Sequence, residues 1–448
     1  MKRIAKTGAW MLAIWMGLAG ALAWGSVEVN KVTCRVELDR EVFPADTPHR
    51  AVVKVTLDAP PPPKYAEQRP PINLSIVLDR SGSMSGGKLE NAKRAAIEAL
   101  RRLGPRDYFA LVVYDDQVQT LIPAQPAAKT EWMESQIHAL HTGGGTALFG
   151  GVSQGAAEVR KHLDSGLINR IILLSDGQAN VGPSQPSDLG RMGVALSKEG
   201  IAVTTVGVGA GYNEDLMTQL AQRSDGNTYF VENDADLPRI FAAELGDVLS
   251  VVAQKVLLTI ECPEGARPVR IIGRDGLLRD NTVQIQLNQL YGGQEKFALI
   301  EVEVPAGRER DRREIAQARV EYDSVFSKQR EAVTAEVYAR FSHSEVEVSA
   351  SGNKKVQMDV VGQQAAESKE QALELLEQGR REEAVNRLKD DRQRLSSYAA
   401  ENALPAASLR EAEELETDAS SVQRGISSSE RKDMKTKSYQ RRNQQLNQ

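Results

Sequence analysis

Three short stretches of the sequence carry oxygen-bearing side chains at spacings that suit a metal ion. Asp79-Arg80-Ser81-Gly82-Ser83-Met84 offers one carboxylate and two hydroxyls at alternate positions. Gly143-Gly144-Gly145-Thr146 adds a third hydroxyl after glycines that permit turns bulkier residues could not make. Ser175-Asp176-Gly177 supplies a second carboxylate. Two carboxylates and three hydroxyls, with no His or Cys among them, are hard donors that fit the octahedral demand of Mg²⁺ and argue against zinc. Mn²⁺ and Ca²⁺ remain alternatives for the same oxygens. Two carboxylates merely balance a dication, and if they act through water the ion is left seeking an anionic oxygen from outside.

For these stretches to meet, the chain must bring them to one edge. Asn73–Leu78 and Arg170–Leu174 are short, nearly continuous apolar runs, the pattern of buried strands, and each ends directly before a carboxylate. In an open α/β sheet, ligands bind beyond the carboxyl ends of the strands. Further strands are expected at Tyr108–Tyr114, Val118–Ile122, Ala202–Val208 and Asn227–Val231. Helices are expected at Lys88–Leu103, Thr130–Leu140, Leu148–Leu163, Ser187–Lys198, Glu214–Arg223 and Asp234–Val252. The alternation predicts an α/β, doubly wound domain over residues 72–253 with helices on both faces. The strands around Asp115-Asp116-Gln117 are too close for a crossover, so they form a hairpin with one antiparallel edge strand.

An Asp-x-Ser-x-Ser string alone also forms a capped turn. The glycine-threonine loop and the second strand-end carboxylate, in that order, distinguish the two readings. Asp79, Ser81, Ser83, Thr146 and Asp176 together resemble the five-part metal-ion-dependent adhesion site of von Willebrand factor A domains. The likeness covers roughly residues 72–252, and Leu173-Leu174-Ser175-Asp176-Gly177-Gln178-Ala179-Asn180 is similar to exported bacterial members. The resemblance implies a Rossmann-like fold in which Ser81 and Ser83 coordinate directly and Thr146 directly or through water. It further implies that Asp79 and Asp176 act largely through water, and that a protein partner's Asp or Glu carboxylate completes the shell.

Competing chemistries fit less well. Gly151-Val152-Ser153-Gln154-Gly155 has the spacing of a nucleophile elbow, but that motif follows a strand and here it lies inside an expected helix. His138, His141 and His162 have no clear acidic orienter, although His141 could line the rim of the metal site. The glycine loop lacks the Lys-Ser/Thr of a phosphate-binding loop. Asp115-Asp116 reads as a turn rather than as paired catalytic carboxylates. No separate general acid or base stands in the three loops, so a binding role without catalysis is expected.

Residues 24–60 alternate apolar and polar side chains as half-buried strands do, and residues 61–71 are a proline-rich linker. Residues 254–350 return to strand alternation, and a β-sandwich completing the N-terminal strands is expected there. They resemble the sheet modules around the A domain of inter-alpha-trypsin-inhibitor heavy chains only in arrangement, and no residue's role is carried over from that likeness. Residues 351–424 form a helical region in which Ala372–Arg380 with Glu383-Ala384 resembles one tetratricopeptide-type helix pair. Residues 425–448, rich in Arg and Lys, are expected to be a flexible basic tail.

Lys2, Arg3 and Lys6, the apolar run Ala9–Ala23 and the closing Ala21-Leu22-Ala23 read as a secretory signal over residues 1–23, which places the protein in the periplasm, at the cell surface or in the medium. No later apolar stretch is long enough to span a bilayer. An oxidising compartment makes Cys34 and Cys262 candidates for a disulfide. The net charge of −5 over 448 residues gives no reason to expect nucleic acid as a partner. The expected function is metal-dependent protein binding or adhesion; the alternative is a periplasmic scaffold or assembly factor acting through its C-terminal helices.

Overall fold

Three strands, β1 (Thr33–Leu38), β2 (Val42–Pro44) and β3 (His49–Asp58), lead into an α/β domain. That domain runs through β4 (Ile72–Asp79), α1 (Gly87–Arg101), β5 (Tyr108–Tyr114), β6 (Val118–Pro126), α2 (Thr130–His138) and α3 (Leu148–Arg160). It continues with β7 (Ile168–Ser175), α4 (Pro186–Lys198), β8 (Ile201–Val208), α5 (Glu214–Ser224), β9 (Thr228–Val231) and α6 (Leu237–Leu249). This computed structural model describes residues 30–63, 69–163, 166–263 and 265–445, so the expected signal and part of the proline-rich linker lie outside the described residues.

The central sheet has the order β6-β5-β4-β7-β8-β9 and is parallel except for β6, the return arm of the Asp115–Gln117 hairpin. Strand alternation sorts its side chains between two apolar layers. Leu74, Ile76 and Leu78 pack with Leu89, Ala96 and Leu100 of α1 and with α2 and α6. Val77, Val112 and Ile171 pack on the opposite face with Val152 and Val159 of α3 and with α4 and α5. A sheet covered on both sides needs the unbroken apolar strands the sequence carries.

The chain then returns to strands: β10 (Val251–Glu261), β11 (Arg267–Ile272), β12 (Leu277–Arg279), β13 (Thr282–Tyr291), β14 (Glu295–Val304), β15 (Arg312–Ser324) and β16 (Arg330–Ser342). They join the N-terminal strands in two sheets, β1-β3-β14-β11 and β12-β13-β10-β15-β16-β2, whose facing side chains share one apolar core. The α/β domain is thus inserted between strands of a β-sandwich. Cys34 lies on β1 and Cys262 just after β10, in opposite sheets of that core. Both are free thiols, which corrects the expected disulfide: their segments share a module without being bonded. Burial pushes the Cys34 thiol up to about 12 and the Cys262 thiol up to about 11.

The two modules meet at a buried polar junction. Arg170, near the start of β7, is fully buried and donates to Gln289 Oε1 and Tyr291 Oη of β13, both at 2.7 Å, and to Thr204 Oγ1 at 3.2 Å. Glu244 of α6 lies 3.6 Å from the Arg170 guanidinium and accepts from Thr204, Asn227 and Tyr229.

Five helices follow: α7 (Glu345–Ala350), α8 (Lys354–Glu377), α9 (Arg381–Glu401), α10 (Ala406–Arg424) and α11 (Ser428–Arg442). The last four pack around their own apolar core. Helix α11 corrects the expectation of a flexible tail. A capping box between Ser427 and Glu430 starts it, satisfying backbone donors at its first turn. Its basic residues then find acids far back in the chain: Lys432 Nζ is 2.5 Å from Glu214 Oε2, Arg431 pairs with Glu214 and Asp215, and Lys435 pairs with Asp215. Beyond these, the Gln440 side chain donates to Thr228 O and the Gln445 side chain accepts from Thr228 N, along the edge strand β9.

Candidate metal site

Asp79 is the last residue of β4 and its neighbour strand β7 ends at Ser175, so parallel pairing brings Asp79 and Asp176 to the same sheet edge. Both carboxylates are buried. Asp79 Oδ1 accepts from the Ser81 backbone N–H at 2.8 Å and Oδ2 from Ser175 Oγ at 2.7 Å, which fixes its plane. Burial holds its carboxyl above the ordinary value; the Ser81 and Ser175 hydrogen bonds pull the other way, and the charge of Asp176 adds to the rise. An uncompensated carboxylate in such a place favours the arrival of a cation.

The hydroxyls lie in a row beside it. Ser81 Oγ is 3.0 Å from Ser83 Oγ, and Ser83 Oγ donates to Asp176 Oδ1 at 2.6 Å. Thr146 arrives from the glycine loop, with its backbone N–H held by Asn180 Oδ1 at 2.8 Å. The convergence shows at Gly177: a Cβ placed there would lie 3.4 Å from Ser83 Oγ, 3.4 Å from Thr146 Oγ1 and 4.0 Å from Ser81 Oγ. Three hydroxyl oxygens from two chain segments therefore border one small space, with the Asp176 carboxylate of a third segment beside it. Ser81 and Thr146 are buried whereas Gly82 and Ser83 are exposed, so the space opens to solvent on that side. The oxygens fit a hard dication. Among the described residues no three His, Cys, Asp or Glu side chains gather into a metal-binding group, so this set depends on its hydroxyls.

The glycines serve close approach. Gly143 N donates to Arg80 O at 2.7 Å and Gly82 N to Gly144 O at 3.0 Å, stitching the loop to the Asp79–Ser83 turn. A Cβ at Gly143 would fall 1.8 Å from Asp115 Oδ2. Asp115 is held in that place by the hairpin, accepting from Gln117 N at 2.8 Å, and by Arg80 at 3.1 Å. Asp115 is thus a turn and loop support.

The remaining sequence candidates are dispersed. Ser153 lies within α3, where Gly151 and Gly155 let the helix press on Tyr114 and Val77. His162 stacks on Tyr108 with ring centroids 3.9 Å apart, and His138 ends α2. His141 is exposed beside the glycine loop.

Sequence reasoning missed Ser175 and Asn180, the supports of Asp79 and Thr146, and above all Lys88. Lys88 Nζ lies 2.5 Å from Asp176 Oδ2 and 3.3 Å from Ser83 O. A signal was present: Lys88 stands in the first turn of α1, where the helix dipole opposes a cation, so its position asks for a nearby anion.

Residues 73–243 match the von Willebrand factor type A domain. An uncharacterised protein of Synechocystis sp. is 27% identical over 246 residues, 52% of this chain and 57% of its own length. The uncharacterised protein YfbK of Escherichia coli is 27% identical over 200 residues, 44% of this chain and 35% of its own. The chain thus spans about half or less of these curated relatives. Among solved structures, a von Willebrand factor type A protein from Catenulispora acidiphila superposes with a TM-score of 0.65 at 19% identity, covering 84% of this chain and 87% of that one. The ArnB paralog VWA2 from Sulfolobus acidocaldarius gives a TM-score of 0.57 at 15% identity, covering 91% and 99%. These structural likenesses concern the fold.

Proposed function

We propose, from the premise that residues 73–243 form a von Willebrand factor type A domain, that the chain is an exported interaction protein that binds a partner through a divalent cation. Domains of this family typically mediate protein interactions. The observation that carries the reading is the meeting of Ser81, Ser83 and Thr146 hydroxyls around Gly177, beside the Asp176 carboxylate and open to solvent at Ser83.

In this reading Ser81, Ser83 and Thr146 supply neutral oxygens, and Asp79 and Asp176 supply the charge that retains Mg²⁺, or alternatively Mn²⁺ or Ca²⁺. A dication with mostly neutral donors offers an electrophilic position for an Asp or Glu carboxylate of the partner. The residues around it hold geometry: Ser175 orients Asp79, Asn180 anchors the Thr146 backbone, and the glycine loop brings Thr146 close. The role in this reading is binding, the five oxygens serving to hold the cation and its carboxylate ligand.

The test is calorimetric titration of Mg²⁺ and Mn²⁺ into chelator-treated protein, with Asp79→Ala and Ser81→Ala as controls. Saturable one-site binding lost in both variants is the expected result. Absence of binding to the unsubstituted chain would overturn the reading and leave the scaffold alternative, which rests on the strongly charged exposed face of α9.

A further inference from the structure

We propose that Lys88 sets the charge of the cation site and thereby restricts it to anionic ligands; this rests on the five-oxygen reading above. Asp79 and Asp176 bring two negative charges, which a dication cancels. The Lys88 ammonium, 2.5 Å from Asp176 Oδ2 and 3.3 Å from Ser83 O, adds a positive charge that the site itself does not balance. Of the neighbouring charges, Arg80 pairs with Asp115 and Lys93 with Glu90, while Asp234, beside Gly87, accepts from the neutral Asn91 amide and keeps its negative charge. The groups at the site itself, a dication with Asp79, Asp176 and Lys88, sum to +1, and an incoming carboxylate neutralises that charge whereas an amide or hydroxyl does not.

The placement of Lys88 is costly in other respects. It stands in the first turn of α1, against the helix dipole, and its side chain is 35% exposed, long enough to point into solvent instead. It is directed at Asp176, whose other oxygen holds Ser83. An ammonium so close to the cation opposes cation binding and favours anion binding. Lys88 thus trades affinity for the ion against affinity for the partner's carboxylate, an opposition that a purely structural lysine would not produce.

The full chain provides the test. Mn²⁺ affinity is measured by calorimetry, and acetate binding to the Mn²⁺-loaded protein by water-proton relaxation, with acetamide as the neutral control. Lys88→Met should bind Mn²⁺ at least tenfold more tightly and acetate at least tenfold more weakly, because charges a few ångströms apart near a protein surface interact by more than the free energy of a tenfold change. Lys88→Arg, which keeps the charge, should resemble the unsubstituted chain in both. Acetamide should bind none of the three detectably. Weakening of both ligands in Lys88→Met, or no change in either, would overturn the inference while leaving the metal site intact. Failure of the unsubstituted chain to bind Mn²⁺ would overturn the site and the inference together.

Discussion

Strand β7 carries a buried charge at each end, and the two ends are built on opposite plans. At its start, Arg170 meets Glu244, Thr204, Gln289 and Tyr291, so that nearly every polar atom is answered from within the chain. At its finish, Asp176 and Asp79 face hydroxyls that retain free lone pairs and a space open to solvent. Burial and charge are common to both. What separates a structural polar cluster from a binding site is whether its hydrogen-bonding capacity is used up.

If that distinction is right, substitutions at the two ends should fail differently. The largest effect is expected for Arg170→Met, which leaves Glu244 buried without its cation; about 3–5 kcal/mol of unfolding free energy should be lost in urea titrations, with no selective change in metal affinity. Next is Glu214→Gln at the α11 dock, where the lost charge-assisted hydrogen bond to Lys432 should cost about 1.5–3 kcal/mol of local stability, read as faster amide exchange in α11. Acid should do the same. Burial works to raise the Glu214 carboxyl, but its bonds and charges from Lys432 and Arg431 outweigh burial and hold it below its ordinary value. Its contribution is therefore present above the ordinary carboxylate range and lost as pH falls through the depressed value.

Gly143→Ala should cost about 1–3 kcal/mol, because the new methyl group meets Asp115. It should also lower Mn²⁺ affinity by moving the loop that carries Thr146. The smallest change in stability is expected for Ser83→Ala, about 1 kcal/mol for the lost hydrogen bond to Asp176 at an exposed position, although Mn²⁺ affinity should fall roughly tenfold or more. A Ser83→Ala variant that unfolded readily, or an Arg170→Met variant that kept full stability, would break the comparison.

The meeting of Asp79 and Asp176 was legible because strand ends are legible: apolar runs stop at Asp79 and Ser175, and parallel strands must stop at the same edge, whereas Thr146, on a loop between two helices, was reached through its glycines and the family resemblance. The supports were not. Ser175 and Asn180 look like ordinary strand-end and loop residues until Asp79 and Thr146 are seen to lean on them. The two cysteines were misjudged because compartment chemistry says whether a bond can persist, whereas the place of each side chain within the core decides whether two thiols meet. The basic tail was misjudged because local composition hides distant partners: Glu214 and Asp215 lie more than 200 residues before Arg431 and Lys435. A charge run is solvated only when nothing complementary awaits it in the fold.

The glutamines that follow the basic face of α11 have another consequence. Strand β9 is an outer strand of the central sheet, with one side unclaimed by any strand, and Thr228 there gives its N–H to Gln445 and its C=O to Gln440. Side-chain amides occupy positions that the backbone of another molecule would otherwise find vacant. The last helix thus closes, at Thr228, the kind of open hydrogen-bonding edge that otherwise offers a strand of another molecule a place to pair.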